Sequence, residues 1–349
     1  MKQLLLSLSL LVSATTWAQP VMLSDAVPGA NGCDPSMFTG MNGKVYFAAD
    51  DGINGQELWV YDGSTCSMVY NINPSGDALG AIKQMVELNG KLYFSADDGT
   101  NGRELWVYDG INPPSIAADI EPGAGTGGVG MLAVLNNKIY FGALTTTTGG
   151  ELWSYDPATN TAAVLSSLAP GADPSGVYEV GVFNGKVYFS GTTPGEGFEL
   201  RVYDPANNTS SMVADINSGA PGSSPFNFMT ANNKLYFFAK TINYGIELYS
   251  YSGSGIPTRL TDINPGAGDS GFDTPLPFNF MAYMNNNIYF CAQNATSGYQ
   301  MFKYDIATNT TNLFYTINPS GPGTNAYYVS YANKLYFGAG NPTIGFELW

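Results

Sequence analysis

Histidine is absent from the 349 residues, only 13 are lysine or arginine, and only three are cysteine. Each shortage removes a class of chemistry. Without imidazole there is no Ser-His-Asp or Cys-His catalysis, no His-ligated zinc and no histidine general base near neutral pH. With 28 acidic residues the net charge is -15. That balance argues against nucleic acid and anionic lipid as partners, because phosphate must be neutralised by cations. Cys33, Cys66 and Cys291 are too few for a disulfide framework and allow at most one bridge. Long apolar runs are missing after the N-terminus. There, Lys2 precedes LLLSLSLLV and the stretch ends in Thr16-Trp17-Ala18, a small-x-small pattern that suits signal peptidase. Residues 1–18 read as a secretory signal, since the run falls short of the roughly 20 apolar residues of a membrane span. The expectation is a secreted or extracellular chain starting near Gln19, without membrane insertion.

What is present is a repeat. NGKVYF at Asn42 returns as NGKLYF at Asn89, NNKIYF at Asn136, NGKVYF at Asn184, NNKLYF at Asn232, NNNIYF at Asn285 and ANKLYF at Ala332, at spacings of 47, 47, 48, 48, 53 and 47. Periods in the forties belong to propeller blades or helical solenoids. These units are rich in Tyr, Phe, Val and Thr, are punctuated by Gly, Pro, Asn and Asp, and show no 3.6-residue apolar period, so they are all-β. In the second unit four strands are expected, at 82–88, 91–96, 104–109 and 115–120, with Asn89-Gly90 as a hairpin turn. Tyr93 and Phe94 point to opposite faces, and both are apolar, as a sheet packed between two other sheets requires.

The mature N-terminus, VMLSDAVPGANG from Val21, matches SMVADINSGAPG from Ser211, so the chain opens with a lone outer strand; it closes with three strands ending at Trp349. Joined, they complete a blade and remove open sheet edges. The reading is a seven-bladed β-propeller of four-stranded antiparallel blades over residues 19–349. The last unit breaks off after GFELW, where earlier units run on to YD, which leaves an eighth blade or a following sorting domain as alternatives.

GQELWVYDG from Gly55, GRELWVYDG from Gly102 and GGELWSYDP from Gly149 resemble the ELWxxDGT repeat of secreted, mostly bacterial proteins. Later units drift to ELRVYDP at Glu199, ELYSYSG at Glu247 and QMFKYDI at Gln300. The resemblance implies a propeller-like extracellular repeat protein, of a kind often exported by the type IX route of gliding bacteria and often held at the cell surface. It transfers no catalytic residue.

Candidate sites follow from the repeat. Lys44, Lys91, Lys138, Lys186 and Lys234 open second strands, and Asp62, Asp109, Asp156, Asp204 and Asp305 close third strands. If residue 47 pairs with 59, these form cross-strand ion pairs on one rim. Glu57, Glu104, Glu151, Glu199, Glu247 and Glu347, with Gln300 in the sixth unit, recur once per blade and suit acceptance of backbone N–H bonds at the hairpin. Paired carboxylates could instead cleave glycosides. Asp50, Asp51, Asp97 and Asp98 lie in tight Gly-rich hairpins whose oxygens suit calcium, although Asp and Gly in a turn need no metal. SADDG from Ser95 is similar to the structural Asp box of sialidases, but Arg103, Arg201 and Arg259 are not placed to converge on a pocket. At the end carrying the inter-blade loops, Tyr178, Phe226, Phe278, Tyr327 and Tyr328 start inner strands beside Asn227 and Asn279, and the longer fifth unit adds Asp269, Phe272 and Asp273. Aromatics beside amides could stack on a sugar or grip a peptide. Cys33 and Cys66 should lie on opposite faces, and Cys291 should be a buried thiol. The functional expectation is a non-catalytic binding or cell-surface module for protein or glycan, without a required cofactor. The alternatives are a polysaccharide-acting enzyme, glycosidase or lyase, using carboxylates of the loop face, or a calcium-dependent lectin.

Overall fold

The hexapeptide repeat folds as a hairpin turn in which two successive residues take left-handed backbone angles. Asn42 and Gly43 have φ of 52° and 79°, and the same pair of positive angles recurs at 89–90, 136–137, 184–185, 232–233, 285–286 and 332–333. Such turns match the twist of the flanking strands, and Asn and Gly tolerate them best. The computed structural model describes residues 21–23, 32–80, 84–165, 176–177, 179–192, 197–219, 221–269, 281–294, 298–316, 324–341 and 345–349. The proposed signal segment lies outside them.

Each turn joins the first two strands of one blade. The first blade is β1 (Ser36–Met41), β2 (Lys44–Asp50), β3 (Gln56–Tyr61) and β4 (Cys66–Tyr70); the second is β5 (Val86–Leu88), β6 (Lys91–Asp97), β7 (Arg103–Tyr108) and β8 (Ser115–Ala118). The third is β9 (Leu132–Leu135), β10 (Lys138–Thr145), β11 (Gly149–Asp156) and β12 (Thr161–Val164); the fourth is β13 (Val180–Phe183), β14 (Lys186–Gly191), β15 (Glu199–Asp204) and β16 (Thr209–Ala214). The fifth is β17 (Phe226–Ala231), β18 (Lys234–Thr241), β19 (Gly245–Tyr251) and β20 (Thr258–Arg259); the sixth is β21 (Met281–Met284), β22 (Asn287–Asn294), β23 (Gly298–Asp305) and β24 (Thr310–Tyr315). The seventh has β25 (Thr324–Tyr331), β26 (Lys334–Asn341) and β27 (Gly345–Leu348). All pairings are antiparallel in chain order, and the inner strands β1, β5, β9, β13, β17, β21 and β25 neighbour one another in a closed circle. The molecule is a seven-bladed β-propeller. The second blade's inner strand is shorter than its sequence pattern, starting only at Val86.

Residues near the N-terminus lie against the seventh blade where the other blades carry their outer strand. Leu23 N donates to Leu348 O at 2.8 Å, as Leu165 N does to Leu152 O and Leu260 N to Leu248 O at 2.7 Å in the third and fifth blades. The next junction also copies the internal ones. Cys33 N and Asp34 N both donate to Phe346 O, as Ala78 and Leu79 do to Gln56 O and Ser223 and Ser224 to Phe198 O.

Sheets are glued face to face. Phe94 belongs to the core between the first and second blades, while its neighbour Tyr93 turns to the third. In the first four blades a tyrosine of the second strand meets a tyrosine of the next blade's third strand: Tyr46 with Tyr108, Tyr93 with Tyr155, Tyr140 with Tyr203 and Tyr188 with Tyr251, at centroid distances of 5.8 to 6.3 Å. Tyr336 of the last blade completes the series on Tyr61 of the first at 6.4 Å. Burying such rings contributes about 1.5 to 3 kcal/mol each, so the inter-blade faces carry most of the stability. Near the axis, Gly181 lets Phe228 of the adjacent inner strand approach so closely that a Cβ would lie 2.2 Å from that of Phe228.

Candidate functional site

Strand order fixes what each end of the ring can display. Connections between blades and the hairpins between second and third strands share one end; the Asn turns and the turns after the third strands share the other.

The repeated glutamates are at the loop-bearing end but are buried, with Glu57, Glu104, Glu247 and Glu347 fully inaccessible. Their donors come from the connection to the next blade rather than from their own hairpin. Glu57 accepts from Ile72 N at 2.9 Å and Asn73 N at 3.0 Å, Glu104 from Gly127 N at 2.9 Å, and Glu199 from Ile216 N at 2.9 Å and Asn217 N at 3.2 Å. Each carboxylate therefore ties a third strand to the chain leaving that blade. Burial pushes Glu57 up to about 7 against the two N–H bonds that favour its charge, and it raises Glu104 and Glu199 as well.

The aspartate hairpins satisfy themselves. Asp51 Oδ1 accepts Ile53 N and Asn54 N at 2.9 and 2.8 Å while Oδ2 takes Asn54 Nδ2 at 2.7 Å, and Asp50 Oδ1 accepts Gly52 N at 2.7 Å. Asp97 and Asp98 repeat this pattern with Gly99, Thr100 and Asn101. Desolvation opposes ionisation of Asp51 and Asp98, but these bonds outweigh it and hold both carboxyls below the usual range. Phe47 pairs with Trp59 in mid-strand, the register that brings the lysine and aspartate positions together at the opposite rim. The expected ion pairs form at Lys138–Asp156, 3.2 Å, and Lys186–Asp204, 3.0 Å. Asp62 and Asp109 instead cap their own turns, whose N–H bonds bring each down to about 2. The arginines stay apart: Arg103 donates to Ala78 O, Arg201 to Gly191 O and Arg259 to Thr261 O. No cysteine is in a disulfide; Cys33 and Cys291 are buried.

Of the residues proposed to contact a ligand, Tyr178, Phe272, Asp273 and Phe278 lie outside the described residues, as does the side chain of Tyr327. Phe226 is buried and stacked on Phe238 at 5.6 Å, so its ring offers no face to a sugar. Tyr328 is likewise buried, against Phe337. Asp269 is engaged in the fold: Oδ1 accepts Ile246 N and Oδ2 pairs with Lys240 Nζ, both at 2.9 Å. Asp77 does the same for Gln56 N at 2.8 Å in the first blade.

Asn227 has a less ordinary setting. It is buried in a β-bulge with φ of 58°, and its side-chain nitrogen has no hydrogen-bond partner among the described residues. Its backbone N–H points to Glu179 Oε2 at 3.3 Å. Glu179 was not singled out from the sequence. It is buried, and desolvation pushes its carboxyl up to about 8 while Asn227 N–H pulls the other way. Counting back from the Asn turns would have found it, since equivalent positions hold Met37, Gln84 and Met131. The two residues occupy the same repeat position in adjacent blades, five residues before the Asn turn, and bring a buried carboxyl against a buried amide.

Hollows lie within and between the blades among the described residues. A channel of about 320 Å³ lies among the inner strands, lined by Thr39, Val86, Val134, Val182 and Phe228. A hollow of about 520 Å³ separates the second and third blades near the Asn turns, and one of about 480 Å³ lies between the fourth and fifth blades.

No family model matches this sequence, and no curated protein matches it. Solved structures do. The chain is similar to a puromycin hydrolase at 14% identity and TM-score 0.65, over 95% of this chain and 53% of that one. It is similar to a Mycobacterium tuberculosis puromycin-hydrolyzing peptidase at 12% and 0.63, over 94% and 52%. An oligogalacturonate lyase in complex with manganese matches at 11% and 0.57, over 88% of this chain and 85% of that one. The chain thus spans about half the length of the two puromycin-cleaving proteins and most of the lyase. At these identities the likeness is one of fold.

Proposed function

We propose that this protein is a secreted, non-catalytic propeller of the ELWxxDGT-repeat kind, serving as a binding or cell-surface module for a protein or glycan. The observation that carries the reading is the use made of the repeated acids. Glu57, Glu104 and Glu199 accept backbone N–H groups, and Gln300, which cannot ionise, takes the same position in the sixth blade. A residue replaceable by its amide within one ring serves as an acceptor rather than as a general acid or base. What varies from blade to blade is the loops, and a rigid ring that gathers variable loops at one end suits recognition.

The second reading is a polysaccharide-acting enzyme. It is favoured by the lyase match, in which the shared propeller makes up most of the chain, and by Glu179, a buried carboxyl raised toward neutrality. Glycan and peptide arrays probed with residues 19–349, with calcium and with chelator, test the first reading. Saturable binding supports it; binding lost on chelation moves it to the lectin form; absence of binding on both arrays counts against it.

A further inference from the structure

We propose that the hollow between the fourth and fifth blades docks an extended peptide segment of a protein partner, one that presents a bulky apolar side chain next to lysine or arginine. The inference rests on the binding-module reading and names its surface and its partner chemistry.

Ten large apolar side chains are exposed among the described residues, and three of them, Ile242 at 79%, Ile256 at 80% and Tyr244 at 40%, line this one hollow. Neither the axial channel nor the hollow between the second and third blades is lined by any of the ten. Singly scattered exposed apolar residues need no explanation; three around one concavity do.

The walls are held in place before any partner arrives. Asn217 Oδ1 accepts Ile242 N at 3.2 Å and its Nδ2 donates to Gly222 O at 2.7 Å, tying the β18–β19 hairpin to the exit of the fourth blade. The Arg259 guanidinium lies 3.7 Å over the Tyr244 ring and bonds Thr261 O at 2.6 Å and Asp262 at 3.2 Å. A preformed site loses less entropy on binding.

Charge and shape select the occupant. Arg259 is the one cation lining the hollow and is engaged by Asp262, whereas exposed Asp215 stands on the fourth-blade wall of a molecule with net charge -15. The field therefore favours a cationic partner. A sugar would stack on an aromatic face, but one face of Tyr244 is covered by Arg259, the other lining ring, Tyr249, is buried, and the exposed apolar surface that remains is aliphatic. Aliphatic walls suit Leu, Ile or Phe side chains of an extended chain.

The test is a positional-scanning library of fluorescein-labelled nonapeptides, read by anisotropy against residues 19–349. Peptides pairing an apolar residue with Lys or Arg should be retained. Their affinity should fall about tenfold, the size of a modest hot spot, in each of Ile242→Ser, Ile256→Ser and Asp215→Lys. It should stay unchanged in Ile53→Ser, a control isoleucine that is 86% exposed elsewhere. The substituted side chains are exposed, and an unchanged melting temperature confirms that each variant folds. Retained peptides that bind the three variants as wild type would overturn the groove while leaving the module reading intact. So would an acidic consensus, no retained peptide, or binding confined to a glycan array. Turnover of an arrayed substrate would instead remove the module reading itself.

Discussion

The thiol of Cys33 donates to Glu347 Oε2 at 3.2 Å across 314 positions of sequence, in the place where Ser223 donates to Glu199 between the fourth and fifth blades. The junction that closes the ring is thus built like an internal one. Cys33→Ser should keep the donor and leave stability within about 0.5 kcal/mol. Burial, then Glu347, raise the Cys33 thiol far above its ordinary range, so alkylation at pH 8 should spare Cys33 in the native protein and modify it in urea. Peptide mass mapping distinguishes the two, and rapid native labelling would count against this closure.

Tyr336 and Tyr61 form the ring-closing member of the tyrosine series. Tyr336→Ala should cost about 3 kcal/mol, in the range of other buried aromatic truncations, and match Tyr140→Ala within the chain. A double-mutant cycle on 61 and 336 should show coupling of about 0.5 to 1.5 kcal/mol. Additivity within error would mean that the first and last blades do not support each other.

Glu57 makes stability depend on pH in an unusual direction. Its folded value, about 7, lies above the ordinary 4.5, so protonation favours the fold. That contribution is complete below 4.5 and is lost as pH rises through 7. Glu57→Gln should remove this slope, so that its urea midpoint gains on wild type between pH 5 and 8. Glu57→Ala, which strands the N–H groups of Ile72 and Asn73, should cost about 2 kcal/mol at either pH.

Ala332 occupies the first turn position that asparagine fills in the other six units, with φ of 49°. Ala332→Asn should stabilise by roughly 1 kcal/mol, the left-handed penalty for an ordinary side chain, and raise the melting temperature.

The ring was legible because its information is local and repeated. The 47-residue period, the Asn turns and the two apolar faces of Tyr93 and Phe94 each follow from a few adjacent residues, and the Phe47–Trp59 register follows from hairpin length. The polar centres were harder. Donors to Glu57 and Glu104 lie 15 to 23 residues away, beyond any hairpin pattern. Phe226 reads as a loop-face aromatic, but the bulge between Phe226 and Met229 places two residues against one and reverses which side chain turns inward. Glu179 is the one carboxylate at its repeat position, a signal visible only once the blades are laid over one another. The apolar hollow beside β20 combines residues from two blades, so no single segment announces it.

The account turns on recognition without turnover. Its most direct test follows new reducing ends in a panel of polysaccharides, polygalacturonate included, incubated with residues 19–349 with and without calcium or manganese. The account predicts no release above a heat-denatured control. Release proportional to protein concentration and abolished in a folded Glu179→Gln variant would contradict it and assign that carboxyl to catalysis.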